Sequence, residues 1–349
     1  MTIAIVLVFC KQIKKEVPTL IMNKLVVRIS LWLLITLIPI GISTNAHSDE
    51  AYPKAKQITI VSPFAAGAGS DLLTRVLAEF YRKYFNQTVV VQNIGGAGGT
   101  VGSSVVARAA PDGYTLLLSH IGMATAPALY KDLSFDPIKS FEPIGLYASS
   151  PYMLLSHKNF EATNFTELVS YVKKNAEKIN FGTAGVGSGG HLCALLFEKA
   201  IGVKLTQVQY KGASLALQDL LAGRLDLMCD SPPPLIGFIK AGTLKPLLVL
   251  GGRRLSLIPS IPTATEAGHK TLDSMSIWYG LYAPIGTPKS IIDKLSVALQ
   301  AANRDPNVIA QVEKLESVVF DSKLATPDSL RDQLASQIHL WTPIIKGEK

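Results

Sequence analysis

The sequence has 349 residues, of which 48% are hydrophobic and 17% are charged, which is enough for one large or two medium-sized α/β domains with their own cores. Its formal net charge is +8, and half of that excess lies in the first 48 residues. This composition excludes a disordered or fibrous chain. Because no basic run alternates with aromatic residues, it also argues against a nucleic-acid partner.

The first 48 residues are predicted to be a signal peptide, preceding the folded protein. Basic residues come before an apolar run over 29–42, and small residues follow it; this run is shorter than the roughly 20 residues that a membrane-spanning helix needs. We expect cleavage between about Ala46 and Asp49 and export to the periplasm, with a permanent membrane anchor as the alternative. Met22 offers a start that gives a conventional signal length, so we expect residues 1–21 to be dispensable.

After Pro53 the chain alternates short apolar runs with amphipathic segments, the pattern of largely parallel sheets covered by helices. A first set of predicted elements comprises strands at Ile58–Val61, Val89–Val91 and Thr115–Leu118. It also includes two helices, one that Ser70 is predicted to cap with its side chain and one that begins near Gly99. A second set comprises strands at Met153–Ser156, Ile179–Gly182, Leu205–Val208, Leu225–Met228 and Leu244–Leu250, and helices at Thr166–Asn175, Leu192–Ile201 and Ala213–Ala222.

The two sets predict two α/β lobes. Helices at Ile291–Ala302, Asn307–Lys314 and Asp328–Trp341 follow the second set, and we expect them to pack back on the first lobe. The predicted division therefore assigns residues 49–150 and 275–349 to one discontinuous lobe and residues 151–274 to the other.

Two cysteines, Cys193 and Cys229, remain after the signal segment. An exported protein with so few cysteines takes its stability mainly from a hydrophobic core. Two buried free thiols are the interpretation that we favour, and a disulfide formed in an oxidising compartment is the alternative.

Three glycine-rich loops follow predicted strands, at 63–71, 95–100 and 182–191. Glycine lets backbone N–H groups converge, and a helix N-terminus adds partial positive charge. Since the first and third loops lead straight into helices, each can hold an anion. The alternative for any one loop is a tight strand-to-helix turn.

The same loops do not match the known enzyme and cofactor motifs. None contains the Gly-Lys-Ser/Thr of a phosphate-binding loop, and the Gly185-x-Gly187-x-x-Gly190 pattern is followed about 20 residues later by Gln209, not by the acid that a dinucleotide site requires. The six histidines show no metal-ligand spacing. We therefore expect no cofactor, no metal and no catalytic residue.

Taken in order, the motifs resemble those of the substrate-binding proteins of tripartite tricarboxylate transporters, the Bug or TctC family. The resemblance covers the chain from about Tyr52 to the C-terminus. The motifs that carry it are Pro63-Phe64-Ala65 with Gly67, Gly69 and Asp71, Gly96-Ala97-Gly98-Gly99, Ala110-Pro111-Asp112-Gly113-Tyr114, Asn180-Phe181-Gly182, Gly187-Ser188-x-x-His191, Tyr210-Lys211-Gly212, Asp226 with Asp230, and Trp278-Tyr279-Gly280.

The resemblance implies a bilobal fold of the type II periplasmic binding proteins, an α/β fold with the ligand between two lobes. It implies a non-enzymatic monomeric receptor that captures a small organic carboxylate, such as a di- or tricarboxylate, an acidic amino acid or an aromatic acid, for a tripartite-type membrane permease. A ligand-sensing subunit for a membrane kinase is the alternative, and a secreted enzyme acting on a carboxylate is the less favoured rival. The ligand-binding residues that it implies are Phe64, Gly67, Ala68, Gly69, Ser70, Asp71, Thr183, Gly187, Ser188 and Tyr210. Asp230 is added as a candidate from its position at a strand end.

Some single residues keep two interpretations. Asp71 either receives a ligand amine or water, or only complements the dipole of its helix. Asp230 follows a strand end, where α/β proteins bind ligands, so it either contacts the ligand or has no role in binding. Trp278 and Tyr279 either form a wall of the cleft or pack in the core, and His120 either faces the cleft or lies on the surface.

Overall fold

The computed structural model describes residues 52–347, so the predicted signal peptide and its cleavage site lie outside the described residues. Within this range two sheets, each flanked by helices, form a two-lobed α/β fold. Across the same residues, no helix combines the length and the apolar character that crossing a bilayer requires.

The strands are β1 (Ile58–Ser62), β2 (Val89–Asn93), β3 (Thr115–His120), β4 (Phe141–Ser150), β5 (Tyr152–His157), β6 (Asn180–Thr183), β7 (Thr206–Gln209), β8 (Leu227–Asp230), β9 (Leu244–Leu250), β10 (Ile277–Pro284) and β11 (Val318–Val319). The α-helices are α1 (Gly69–Phe85), α2 (Thr100–Ala107), α3 (Gly122–Leu129), α4 (Phe165–Asn175), α5 (Gly189–Ile201), α6 (Ala213–Leu221), α7 (Ile236–Lys240), α8 (Lys289–Ala302), α9 (Pro306–Lys314) and α10 (Pro327–Lys346).

The first sheet has six strands in the order β11-β4-β10-β3-β1-β2. Strands β1, β2 and β3 are parallel to one another, whereas β10 runs antiparallel to both β3 and β4. Helices α8 and α10 pack against β4, and α9 packs against α1. The three C-terminal helices therefore pack on the first sheet and on its helix α1.

The second sheet has five strands in the order β7-β6-β8-β5-β9. Strands β6, β7 and β8 are parallel, and β5 is antiparallel to its neighbours β8 and β9. Both sheets are therefore mixed, which corrects the prediction of largely parallel sheets.

The strands and helices predicted from the sequence are present with ends shifted by a few residues, but strands β4, β10 and β11 and helices α3 and α7 were not predicted. Strands β4 and β10 each contain a glycine where another element comes close. A Cβ on Gly145 would lie 2.5 Å from the backbone of Ala325, and a Cβ on Gly280 would lie 2.4 Å from Leu330 of α10. Glycine weakens a strand pattern in the sequence, and here it permits close packing of the C-terminal segment.

The chain crosses between the lobes at two neighbouring places. Pro151 alone joins β4 to β5, and the return passes from β9 to β10 through residues 251–276. A Cβ on Gly251 would lie 3.1 Å from Pro151 and 3.8 Å from Ser276. The two connections therefore run side by side, as they must if the lobes are to rotate about a common hinge.

Cys193 of α5 and Cys229 of β8 form a disulfide with a Cα–Cα distance of 6.3 Å. The favoured interpretation as free thiols is therefore wrong. Helix α5 packs directly on β8 inside the second lobe, a juxtaposition that the spacing of two cysteines along a sequence does not reveal.

Candidate functional site

A cleft of about 680 Å³ lies where the carboxyl ends of strands from both sheets meet. It is lined by the loops after β1, β2, β6, β7 and β8 and by the end of β3. Among the described residues, Lys211 and Asp230 are the only Lys, Arg, Asp or Glu side chains on its wall. Residues 52–347 contain no cluster of three or more side chains suited to a metal ion. The wall therefore offers a ligand mainly backbone and hydroxyl groups.

The first glycine loop joins β1 to α1 and is fixed from behind by Asp71. The buried carboxylate accepts hydrogen bonds from the Gly67 N–H at 2.8 Å, from Arg75 at 3.0 Å and from Asn93 at 3.0 Å. Burial raises the pKa of Asp71, but the donors outweigh burial and hold the pKa below its ordinary value. Both oxygens are engaged by the protein, and Asp71 is not on the cleft wall. In this arrangement Asp71 positions the loop.

Helix α1 begins at Gly69 with Ala68 as its cap residue, so the predicted side-chain cap at Ser70 is wrong. Ser70 lies inside the first turn instead. No side chain caps this terminus, and first-turn N–H groups have no partner within their own helix. They carry partial positive charge and are free to bind an anion. The predicted residues of this loop that line the cleft are Phe64, Gly67, Ala68, Gly69 and Ser70.

The third glycine loop joins β6 to α5 in the second lobe and presents a second helix N-terminus to the cleft. Ser188 caps α5, because its hydroxyl oxygen accepts a hydrogen bond from the His191 N–H at 3.3 Å. The ring of His191 folds back, and its Nδ1 accepts the Gly187 N–H at 3.2 Å. The Ser188 hydroxyl still has a proton to donate, and Ser188 lines the cleft.

Thr183 and Gly187 belong to this segment but are not on the cleft wall. The Thr183 hydroxyl, fully buried, donates to Gln209 and accepts the Gly185 N–H at 3.2 Å. Gly187 has a φ of +80° and faces Leu129 of the first lobe. Tyr210 is on the wall, but its hydroxyl donates to Asp219 at 2.6 Å.

The second glycine loop, at 95–100, touches the third loop across the cleft. A Cβ on Gly98, which has a φ of +64°, would lie 2.3 Å from the carbonyl oxygen of Val186. The Tyr130 hydroxyl donates to the same oxygen at 2.6 Å. A Cβ on Gly69 would lie 2.4 Å from Ser231 Oγ. Backbone of the first lobe therefore approaches the second lobe at two points, the Val186 carbonyl and the Ser231 side chain.

The floor of the cleft combines aromatic rings with two titratable groups. Phe64 stacks on His120 with ring centroids 4.4 Å apart, and Tyr279 meets His120 edge-on at 6.0 Å. Asp230, at the end of β8, accepts the Ser231 N–H at 2.7 Å. Burial raises the pKa of Asp230 to about 6 and lowers the pKa of His120 to about 4. At neutral pH the floor therefore holds a carboxylate and an uncharged imidazole.

The family model described as tripartite tricarboxylate transporter family receptor matches residues 73–348. The chain belongs to this receptor family. The resemblance seen in the motifs is confirmed, and the two-lobed structure agrees with it.

Relatives of this receptor include the UPF0065 protein of the TAR-I ttuE–ttuC′ intergenic region of Agrobacterium vitis, which is 40% identical over 86% of each chain. Among solved structures, the periplasmic binding protein BugD is 41% identical over 85% of this chain and 98% of its own, with a TM-score of 0.80. MatC from Rhodopseudomonas palustris, solved with bound malate, is 32% identical over 84% of this chain and 99% of its own, with a TM-score of 0.78.

In this receptor, eight of the eleven predicted site residues line the cleft, and Asp71, Thr183 and Gly187 do not. The site residues predicted from the sequence did not include the second glycine loop or Tyr152, which also line the cleft, and His120 had been left with two interpretations. Both interpretations of Tyr279 hold, since it is buried and also lines the cleft, whereas Trp278 is buried and off the wall. The signal for His120 was its place at the carboxyl end of β3, which lies beside the start of β10.

Proposed function

We propose that this chain is a periplasmic receptor that captures a small organic carboxylate in the cleft and delivers it to a membrane permease of the tripartite tricarboxylate type. One observation carries the proposal: two helix N-termini, those of α1 and α5, open onto one cleft from opposite lobes. Each offers amides with partial positive charge, which together suit one carboxylate group. MatC, a relative that holds malate, supports the ligand class.

The proposed site residues divide into two groups. The first-turn amides from Gly69 and Ser70, with the hydroxyl of Ser188, bind the carboxylate. Asp71 and Thr183 hold the two loops in shape from behind. Hydrogen bonds to a charged acceptor contribute more than neutral ones, so a few amides suffice without an arginine.

Closure of the lobes converts binding into a signal that the permease reads. The contacts of Gly98 and Tyr130 with Val186 are made between lobes. A ligand that bridges both lobes favours this arrangement by its differential affinity for it. We propose that the predicted division holds, with residues 49–150 and 275–349 moving against residues 151–274, and that the receptor works as an exported monomer.

The test is a thermal-shift screen of the purified protein over mono-, di- and tricarboxylates, acidic amino acids and aromatic acids, each paired with its amide or ester. A ligand present at about 100 times its dissociation constant adds roughly 2.7 kcal/mol to the free energy of unfolding. We expect stabilisation by an acid and none by its neutral analogue, and a chelator should change nothing. Equal stabilisation by an acid and its amide would overturn the proposal.

Transport and sensing are separated in cells that lack the gene. A transport receptor is required for uptake of the radiolabelled ligand, and restoring the gene restores uptake. If uptake is unaffected while ligand-induced gene expression is lost, the chain is a sensing subunit and the transport proposal is wrong. Formation of a product from the bound ligand would instead support the rival of a secreted enzyme.

A further inference from the structure

His120 presents an uncharged hydrogen-bond donor to the cleft. Its Nδ1 accepts the Gly122 N–H at 2.8 Å, which places the ring proton on Nε2. The side chain is only 3% exposed, and no described residue accepts a hydrogen bond from Nε2. Nε2 is nevertheless not fully enclosed by protein, and His120 lines the cleft. Its N–H is therefore accessible to a ligand in the cleft.

Asp230 presents the complementary acceptor from the opposite lobe. The backbone N–H and the hydroxyl of Ser231 both use Oδ1, at 2.7 and 3.4 Å, and no described residue donates to Oδ2. Tyr279 connects the two groups: its ring meets His120, and its pKa is raised by burial and also by the nearby Asp230 carboxylate. The donor and the acceptor therefore belong to one floor.

These two groups require opposite partners. An ammonium group can only donate, and a carboxylate can only accept, so either one leaves His120 or Asp230 without a partner. A hydroxyl group both donates and accepts, and uncharged hydroxyls avoid repulsion by Asp230. An alkyl or aryl chain would desolvate both groups without replacing their hydrogen bonds.

We infer that His120 and Asp230 are specificity-determining residues that select carboxylates bearing a hydroxyl group over the same carboxylates without one. The inference rests on the proposed function, since the glycine loops must hold the carboxylate. A hydroxyl that accepts from His120 and donates to Asp230 satisfies both groups. The cost of one unpaired buried donor or acceptor, which it spares, corresponds to about 5- to 150-fold in affinity.

Matched ligand pairs test the inference by calorimetry: succinate with malate and tartrate, propionate with lactate, and glutarate with 2-hydroxyglutarate. We expect the hydroxylated member of each binding pair to be favoured by at least about fivefold. Aspartate is included as the ammonium counterpart of malate. Equal binding within every pair, or tighter binding of aspartate than of malate, would overturn the inference while leaving a carboxylate receptor intact. Failure of every carboxylate to bind would instead overturn the proposed function as well.

The matched variants are Asp230→Asn and Asp226→Asn. Asp230→Asn keeps the size and the acceptor that serves Ser231, but replaces the free acceptor by a donor. We expect the hydroxyl preference to fall about tenfold, with affinity for the unsubstituted acid unchanged or higher. Asp226 lies just before β8, outside the cleft, and accepts the Asn180 N–H at 2.8 Å. Its substitution should alter stability but not preference; an unchanged preference in Asp230→Asn would overturn the role of Asp230.

Discussion

Gly98→Ala is expected to weaken ligand binding by obstructing closure of the lobes. The added Cβ would lie 2.3 Å from the Val186 carbonyl oxygen and 3.0 Å from the Gly187 carbonyl carbon. Ordinary van der Waals contact begins near 3.4 Å, so the loops must separate by about 1 Å, which is the scale on which packed interfaces lose complementarity. The Tyr130 hydrogen bond to the same oxygen would lengthen with it.

The size of the effect on affinity depends on whether the contact is present in the open state, the closed state or both. Overpacking costs about 1–3 kcal/mol, and only the closed state incurs this cost, so the dissociation constant should rise about 5- to 150-fold. Alanine at a φ of +64° also costs roughly 1–2 kcal/mol. That strain is present in both open and closed states, so it lowers the melting temperature without lowering affinity.

Gly223→Ala is the control, because Gly223 has a similar φ of +71° and no atom within 4 Å of its added Cβ. It should lose comparable stability and keep wild-type affinity. Calorimetry gives the dissociation constants, and small-angle scattering gives the compaction on ligand binding, which Gly98→Ala should reduce. If Gly98→Ala binds and compacts like the wild type, the contact between the second and third loops has no part in closure.

Three further substitutions probe the loops and the floor, and reduction probes the second lobe. Ser188→Ala should lower affinity about 10- to 100-fold, measured by calorimetry, because a hydroxyl bond to a charged acceptor is lost. It should also lower the free energy of unfolding by about 1 kcal/mol, measured by denaturant titration, because the α5 cap is lost. Asp71→Asn should destabilise the protein and weaken binding, because a buried carboxylate with three donors loses its charge; unchanged affinity would show that the first loop keeps its shape without it. Reduction of the disulfide between Cys193 and Cys229, 36 residues apart, should lower the free energy of unfolding by about 4 kcal/mol, and melting curves with and without reductant check this. Asp230→Asn should raise the melting temperature at pH 7.5 more than at pH 4. Because the folded pKa of Asp230 is raised to about 6, the folded protein loses stability as the pH rises from about 4 to 6 and this carboxyl ionises; an equal gain at both pH values would contradict the raised pKa.

The alternation of apolar strands with amphipathic helices was sufficient to predict the α/β class and two lobes. It missed β4 and β10, because Gly145 and Gly280 break the strand pattern for reasons that lie in the distant helix α10 and the segment before it. The antiparallel pairing of β10 with β3 joins residues more than 150 positions apart, and local periodicity carries no information on such partners.

The glycine loops were recognisable in the sequence because a site built from free backbone amides requires several glycines close together. What the sequence could not show is the direction in which side chains point. Asp71 turns back to hold its own loop, Ser70 lies inside the helix that it was predicted to cap, and His120 reaches the floor through strand alternation and stacking on Phe64. These orientations are set by packing between segments that are far apart in the chain.

The position of β10 has a consequence for the order in which the protein folds. Every strand of the second sheet comes from residues 152–250, whereas β10, from residues 277–284, lies between β3 and β4 in the first sheet. Until β10 is available, β3 and β4 each keep an edge without its partner strand, which is a site for wrong pairing and aggregation. The second lobe can complete its sheet from one continuous stretch, but the first must wait for the C-terminal part of the chain. Chains truncated before residue 277 should therefore retain a folded second lobe and aggregate through the unfinished first one.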